Sequence, residues 1–152
     1  MRAGSGLDGR SMVRRLTLAI VLAVAMVIPL PASAAGHCPT IDGKAFFDFG
    51  NNIGSARIVL DGERMRVPFF STGFVETGPG MADIFFVWFF PDGVVELVEH
   101  STTTPTGGPF GHFASSIDVL SGGEGTWQWS GTVDFAHQRA RIEQLSGTLC
   151  ID

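Results

Sequence analysis

The sequence predicts an all-β fold, a small antiparallel β-barrel of about eight strands that follows an N-terminal signal-peptide helix. Three observations carry that reading. After the first apolar run, short apolar stretches alternate with glycine-rich turn chemistry, and none has a helical period. Thr126–Phe135 puts Trp127, Trp129, Gly131, Val133 and Phe135 on one face and Thr126, Gln128, Ser130, Thr132 and Asp134 on the other, which implies one dry and one wet side. Cys38 and Cys150 stand near the two ends of the domain, and a bridge between them would set the first and last strands side by side, as barrel closure requires.

Residues 16–30 are almost wholly apolar, preceded by Arg14 and Arg15 and followed by Ala32-Ser33-Ala34, a small-x-small cleavage site. That order reads as a secretory signal peptide over residues 1–34, with one barrel domain over 35–152 and a secreted or periplasmic location. The run is short for a membrane span, which needs about 20 residues. Translation from Met1 and from Met12 both remain open; the latter puts the two arginines at the conventional place. Thr17 stands where twin-arginine export expects an aromatic, so ordinary export is favoured. Residues 35–152 hold six cations (Lys44 and Arg57, 64, 66, 139 and 141) against 14 acids, a net charge of −8. Such a domain is a poor partner for nucleic acid or, after signal cleavage, for an anionic membrane. An exported chain meets an oxidising compartment, so Cys38 and Cys150 are expected to form a disulfide; no CxxC spacing supports a metal or redox pair.

In order, Lys44–Phe49 reads as the first strand, Gly50–Gly54 as a turn, and Ser55–Leu60 as a half-buried strand. Asp61-Gly62 is a tight turn. Arg64–Val67 alternates until Pro68, which predicts an edge or a bulge. Its two arginines share a face that reads as solvated rather than as an anion site. Phe69–Thr77 is a strand interrupted at Gly73. Met81–His100 is the central hairpin, with arms Ile84–Phe90 and Val94–Glu99 around Pro91-Asp92-Gly93, where Gly93 is expected to take positive φ. Ser101–Thr104 continues the second arm until Pro105–Pro109 breaks it. Gly111–Leu120, Thr126–Phe135 and Ala140–Ile151 complete the set.

From Phe90 to Cys150 a sequence of motifs is visible: a strand pair around Asp92-Gly93, a proline-containing break, the corner Gly122-Gly123-Glu124-Gly125-Thr126-Trp127, the strand Gly131–Asp134, and the closing Ser146–Cys150. This resembles a group of small exported bacterial proteins of unassigned function, whose fold looks like the barrel of allene oxide cyclases and is related in shape to lipocalins. The resemblance covers roughly half the domain and implies a barrel. No catalytic residue of the cyclases has a counterpart here, so none is carried over.

Enzymatic signatures are sparse. There is no Gly-x-Ser-x-Gly elbow, and Gly122–Gly125 reads as a hairpin corner rather than a phosphate loop. The histidines His37, His100, His112 and His137 form no His-x-His or His-Glu-x-x-His pair, so no metal site and no cofactor are expected. Glu96 and Glu99 fall on opposite faces of a strand and are not an acid–base pair; Glu96 and His100 share a face read as outward. The domain holds 13 Phe and 3 Trp but no Tyr. A Phe-rich interior is either plain core or the wall of an apolar cavity. The leading expectation is a non-enzymatic barrel that binds a small apolar ligand through Phe86, Trp88, Phe90, Trp127 and Trp129. The rivals are a cyclase- or isomerase-like barrel and an interaction module using hairpin 81–100. Because Ile84–Phe90 is apolar on both faces, Phe85, Val87 and Phe89 are expected outside, where a second copy would cover them.

Overall fold

A computed structural model describes residues 38–152. Eight antiparallel strands close into a barrel in chain order: β1 (Thr40–Asp48), β2 (Ile53–Leu60), β3 (Glu63–Gly78), β4 (Met81–Phe89), β5 (Val94–Gly107), β6 (Phe110–Ser121), β7 (Gly123–Asp134) and β8 (Arg139–Ile151). An even number of up-and-down strands leaves β8 antiparallel to β1. The ring therefore closes directly, with Thr40 opposite Thr148 and Asp48 opposite Arg139. The expected all-β barrel is thus observed, with no helix among the described residues. The signal-peptide reading and its boundary lie outside those residues.

Several turns follow from their residues. Asp61 and Gly62 both take positive φ, 51° and 79°, as a two-residue hairpin of matching twist requires. Asp134 accepts bonds from the backbone N–H of Ala136 and His137, which fixes the β7–β8 turn. Gly93 departs from expectation, since its φ is not positive. A Cβ there would stand 3.0 Å from Ile151 Cγ2, so the glycine admits the end of β8 beside the β4–β5 turn.

The prolines break less than the sequence reading expected. β3 runs unbroken through Pro68, which faces Ser55 in β2 and stands one residue outside the β3–β4 ladder that starts at Phe69–Trp88. Proline removes one donor, and here one of its two ladders has already ended. Gly73 marks a register shift against β4, so the interruption expected there is a bulge inside one strand. β5 continues through Pro105, and its turn is Gly108-Pro109. Merging the fragments on either side of Pro68 gives the count of eight.

The disulfide joins Cys38, just before β1, to Cys150 in β8, with Cα atoms 4.9 Å apart and a separation of 112 positions in sequence. It crosses the seam where the barrel closes. Fixing a loop that long restricts the unfolded chain by about 4–5 kcal/mol in the chain-entropy model.

Alternation sorts every strand into an inner and an outer set. Ile41, Ala45 and Phe47 of β1, Val95, Leu97 and Glu99 of β5, and Trp127, Trp129 and Val133 of β7 are buried inside. Outside stand Lys44, Arg57, Arg66, Asp118, Gln128 and Arg141, all exposed. Among the described residues no helix is long and apolar enough to cross a membrane.

Candidate functional site

The interior has two unlike halves. One end carries the β2–β3, β4–β5 and β6–β7 turns and the disulfide. It is filled by Trp88, Trp127, Leu97, Ile117, Ile41 and Leu149, all nearly inaccessible. Trp88 stacks on Phe69 with ring centroids 4.8 Å apart and meets Trp127 edge-on at 5.8 Å. This end is a plug of interlocked rings.

The other end is a cup. A cavity of about 420 Å³ opens there, beneath the β1–β2, β3–β4 and β7–β8 turns. Its wall includes Phe47, Phe86, Phe113, Trp129, Val133 and Ile142, and its rim Phe49, Phe74, Met81 and Phe135. Phe86 fixes the boundary between the halves: it meets Phe47 edge-on at 5.1 Å and Trp129 at 5.8 Å. Phe74, Met81 and Phe135 are about half exposed, which makes the rim apolar as well as the wall.

The five aromatic residues singled out in the sequence all point inward, but they divide between the halves. Phe86 and Trp129 border the cavity, whereas Trp88, Phe90 and Trp127 lie in the plug. Sharing a face does not mean sharing a site. A strand advances about 3.3 Å per residue, so Phe86 and Phe90 are separated by about 13 Å along it.

The sequence reading missed the polar spot in the wall. Glu99 of β5 is 4% exposed, and its Oε1 accepts a 2.5 Å hydrogen bond from Ser115 Oγ of β6. Ser115 Oγ lies 3.1 Å from Ser101 Oγ. One hydroxyl carries one proton, so Ser101 donating to Ser115 and Ser115 donating to Glu99 satisfies all three groups. Burial pushes the Glu99 carboxyl up from its ordinary value, while hydrogen bonding from Ser115, Trp129 and Ser101 pulls the other way and only partly offsets it. The Trp129 indole N–H lies close enough to favour the ionised carboxylate, yet has no partner of good hydrogen-bond geometry. A signal for this cluster existed: in β5 the residues Val95, Leu97, Glu99 and Ser101 share one face, so an inward Leu97 commits Glu99 to the interior.

The companion residues of β5 face outward as expected. Glu96 accepts from Ser121 Oγ at 2.9 Å. His100 Nδ1 lies 2.7 Å from Asp83 Oδ1 and its Nε2 lies 3.5 Å from Asp118. Asp83, through its hydrogen bond, holds the imidazole pKa above its usual value. Phe85, Val87 and Phe89 are also outside, but they are partly covered by their own sheet. Phe85 stands opposite Val98 and Val87 opposite Phe70, and the rings of Phe70 and Phe89 are 5.5 Å apart.

No family model, curated protein or solved structure matches the chain.

Proposed function

We propose that this is an exported β-barrel that holds one small, largely apolar molecule in its cup, without transforming it. The observation that carries this reading is the cavity itself: about 420 Å³, walled by Phe47, Phe86, Phe113 and Trp129 and open at one end. Small-molecule sites have volumes of about 300–1,000 Å³, mostly apolar walls and a few placed polar groups; Glu99 and Ser101 line the cup as such groups, and Ser115 bonds to Glu99. The disulfide and the apolar run before Ala32-Ser33-Ala34 support export, as does the resemblance of the glycine corners to exported barrels. A saturable one-to-one titration with the neutral dye N-phenylnaphthylamine tests the site. Val133→Trp, which fills the cup from its wall, is expected to abolish binding while the fold stays intact. A folded wild type that never takes up the dye would sink the reading.

One observation favours a second reading, an isomerase. A buried carboxyl held above its ordinary pKa is able to give a proton and take it back. Deuterium entering the ligand recovered from heavy water would mark that activity.

A further inference from the structure

The described lining of the cup lacks a counter-charge to its acids, which bears on the charge of a ligand. Among the described residues lining it, the ionisable side chains are Glu76 and Glu99, both acidic; no Lys, Arg or His borders the cavity. Glu99 is the deeper of the two, with Glu76 exposed near the rim. Ser115 donates to Glu99 directly and Ser101 can support it from behind. Those hydrogen bonds favour the ionised carboxylate while burial opposes it, and no cation among the described residues lines the cavity to tip the balance. An ionised buried carboxylate without a counter-charge is costly, and a cationic ligand would supply the charge that the described lining lacks.

The walls around the carboxyl suit the same occupant. Trp129, Phe86 and Phe113 present aromatic rings to the cavity, and ring faces attract cations electrostatically. The 14 acids and six cations of residues 35–152 give a net charge of −8, so the surrounding field also draws in positive charge. A carboxylate ligand would meet two acids and no base.

We propose that the cup binds a hydrophobic amine as its protonated cation, the ammonium group pairing with Glu99 and the apolar body lying against Phe86, Phe113 and Trp129. This rests on the reading of the cup as a ligand site and adds the charge of the ligand to it.

Calorimetric titration at neutral pH with phenylpropylamine, phenylpropanol and phenylpropanoate separates the two levels. The amine is expected to bind at least about tenfold more tightly than either analogue, a difference of about 1.4 kcal/mol. Glu99→Gln is expected to erase that preference and leave the alcohol unaffected. Glu76→Gln, at the rim, is expected to preserve it. Should Glu99→Gln fail to fold, the wild type supplies the test: acidification neutralises Glu99, so amine affinity falls while alcohol affinity stays constant. Alcohol binding as tight as the amine, or amine affinity independent of pH, would overturn the amine assignment and leave the cup a ligand site. Failure of all three compounds and of N-phenylnaphthylamine to bind the folded wild type would overturn both.

Discussion

Ser115 Oγ donates to Glu99 Oε1 at 2.5 Å across the β5–β6 ladder, and with Ser101 these two are the buried polar side chains of an otherwise apolar interior among the described residues. Burial outweighs that bond and raises the Glu99 pKa. For an acid, a raised folded-state pKa means that the native state holds its proton longer than the unfolded chain does. Stability attributable to Glu99 is therefore greatest below its ordinary value of 4.5 and is lost as pH rises from there through the folded-state pKa. The expected outcome is that Glu99→Gln gains stability relative to wild type as pH rises above 4.5, with the two converging in acid. Urea unfolding of both proteins across pH measures it. His100 titrates in both, so its contribution cancels in the difference.

The plug and the cup are expected to separate under mutation. Trp88 is fully buried against Phe69, Phe90, Trp127 and Trp129. Trp88→Ala should cost about 3–5 kcal/mol, as large aromatic truncations in cores do, with little change in ligand affinity under folding conditions. Trp129→Phe keeps most of the ring volume and removes the indole N–H beside Glu99. It is expected to weaken phenylpropylamine binding by severalfold while changing stability little. Parallel denaturation and calorimetry on the two variants provide the check; equal effects on both properties would contradict the division.

Period-two alternation made the barrel and its inner face legible. It placed Phe86, Trp88, Phe90, Trp127 and Trp129 inside, because a strand leaves no freedom about which residues share a face. It did not tell plug from cup, since height along the barrel depends on register between strands, and register is set by partners far away in sequence. Trp129 stands opposite Ser115 and Leu145, contacts that no local pattern reveals. Glu99 is a different case. Glu96 and His100 face outward, and strand alternation then requires an inward Glu99. The prolines misled because Pro68 and Pro105 lose only one donor each and stand where a ladder ends or shifts.

The disulfide spans the closing β1–β8 seam. Thiol labelling under denaturing, non-reducing conditions should find no free cysteine. Replacing both residues, Cys38→Ser with Cys150→Ser, is expected to lower stability by about 4–5 kcal/mol if chain entropy dominates. Fraying is expected to begin at β1 and β8, where amide exchange would report it as faster exchange than in the wild type.

The outer stripe of the central hairpin makes a definite prediction about self-association. Phe70, Phe89 and Val94 are 37%, 40% and 49% exposed, and they adjoin the half-buried Phe85 and Val87. Cross-strand neighbours adjoin these rings: Phe70 and Phe89 lie 5.5 Å apart, and Phe85 stands opposite Val98. What stays exposed is apolar and nearly contiguous, and burying apolar surface contributes about 25 cal/mol per Å² before the cost of association. Pairing of two copies through this stripe therefore predicts a mass that rises with concentration in sedimentation. Phe89→Ser, which removes the most outward ring of β4, would hold the protein monomeric with its circular dichroism unchanged. The interior set of β4 is untouched by this substitution, so ligand affinity should stay constant and act as an internal control. A wild type that sediments as a monomer at every concentration would mean that the stripe's own ring contacts cover it sufficiently, and the pairing of copies would be withdrawn.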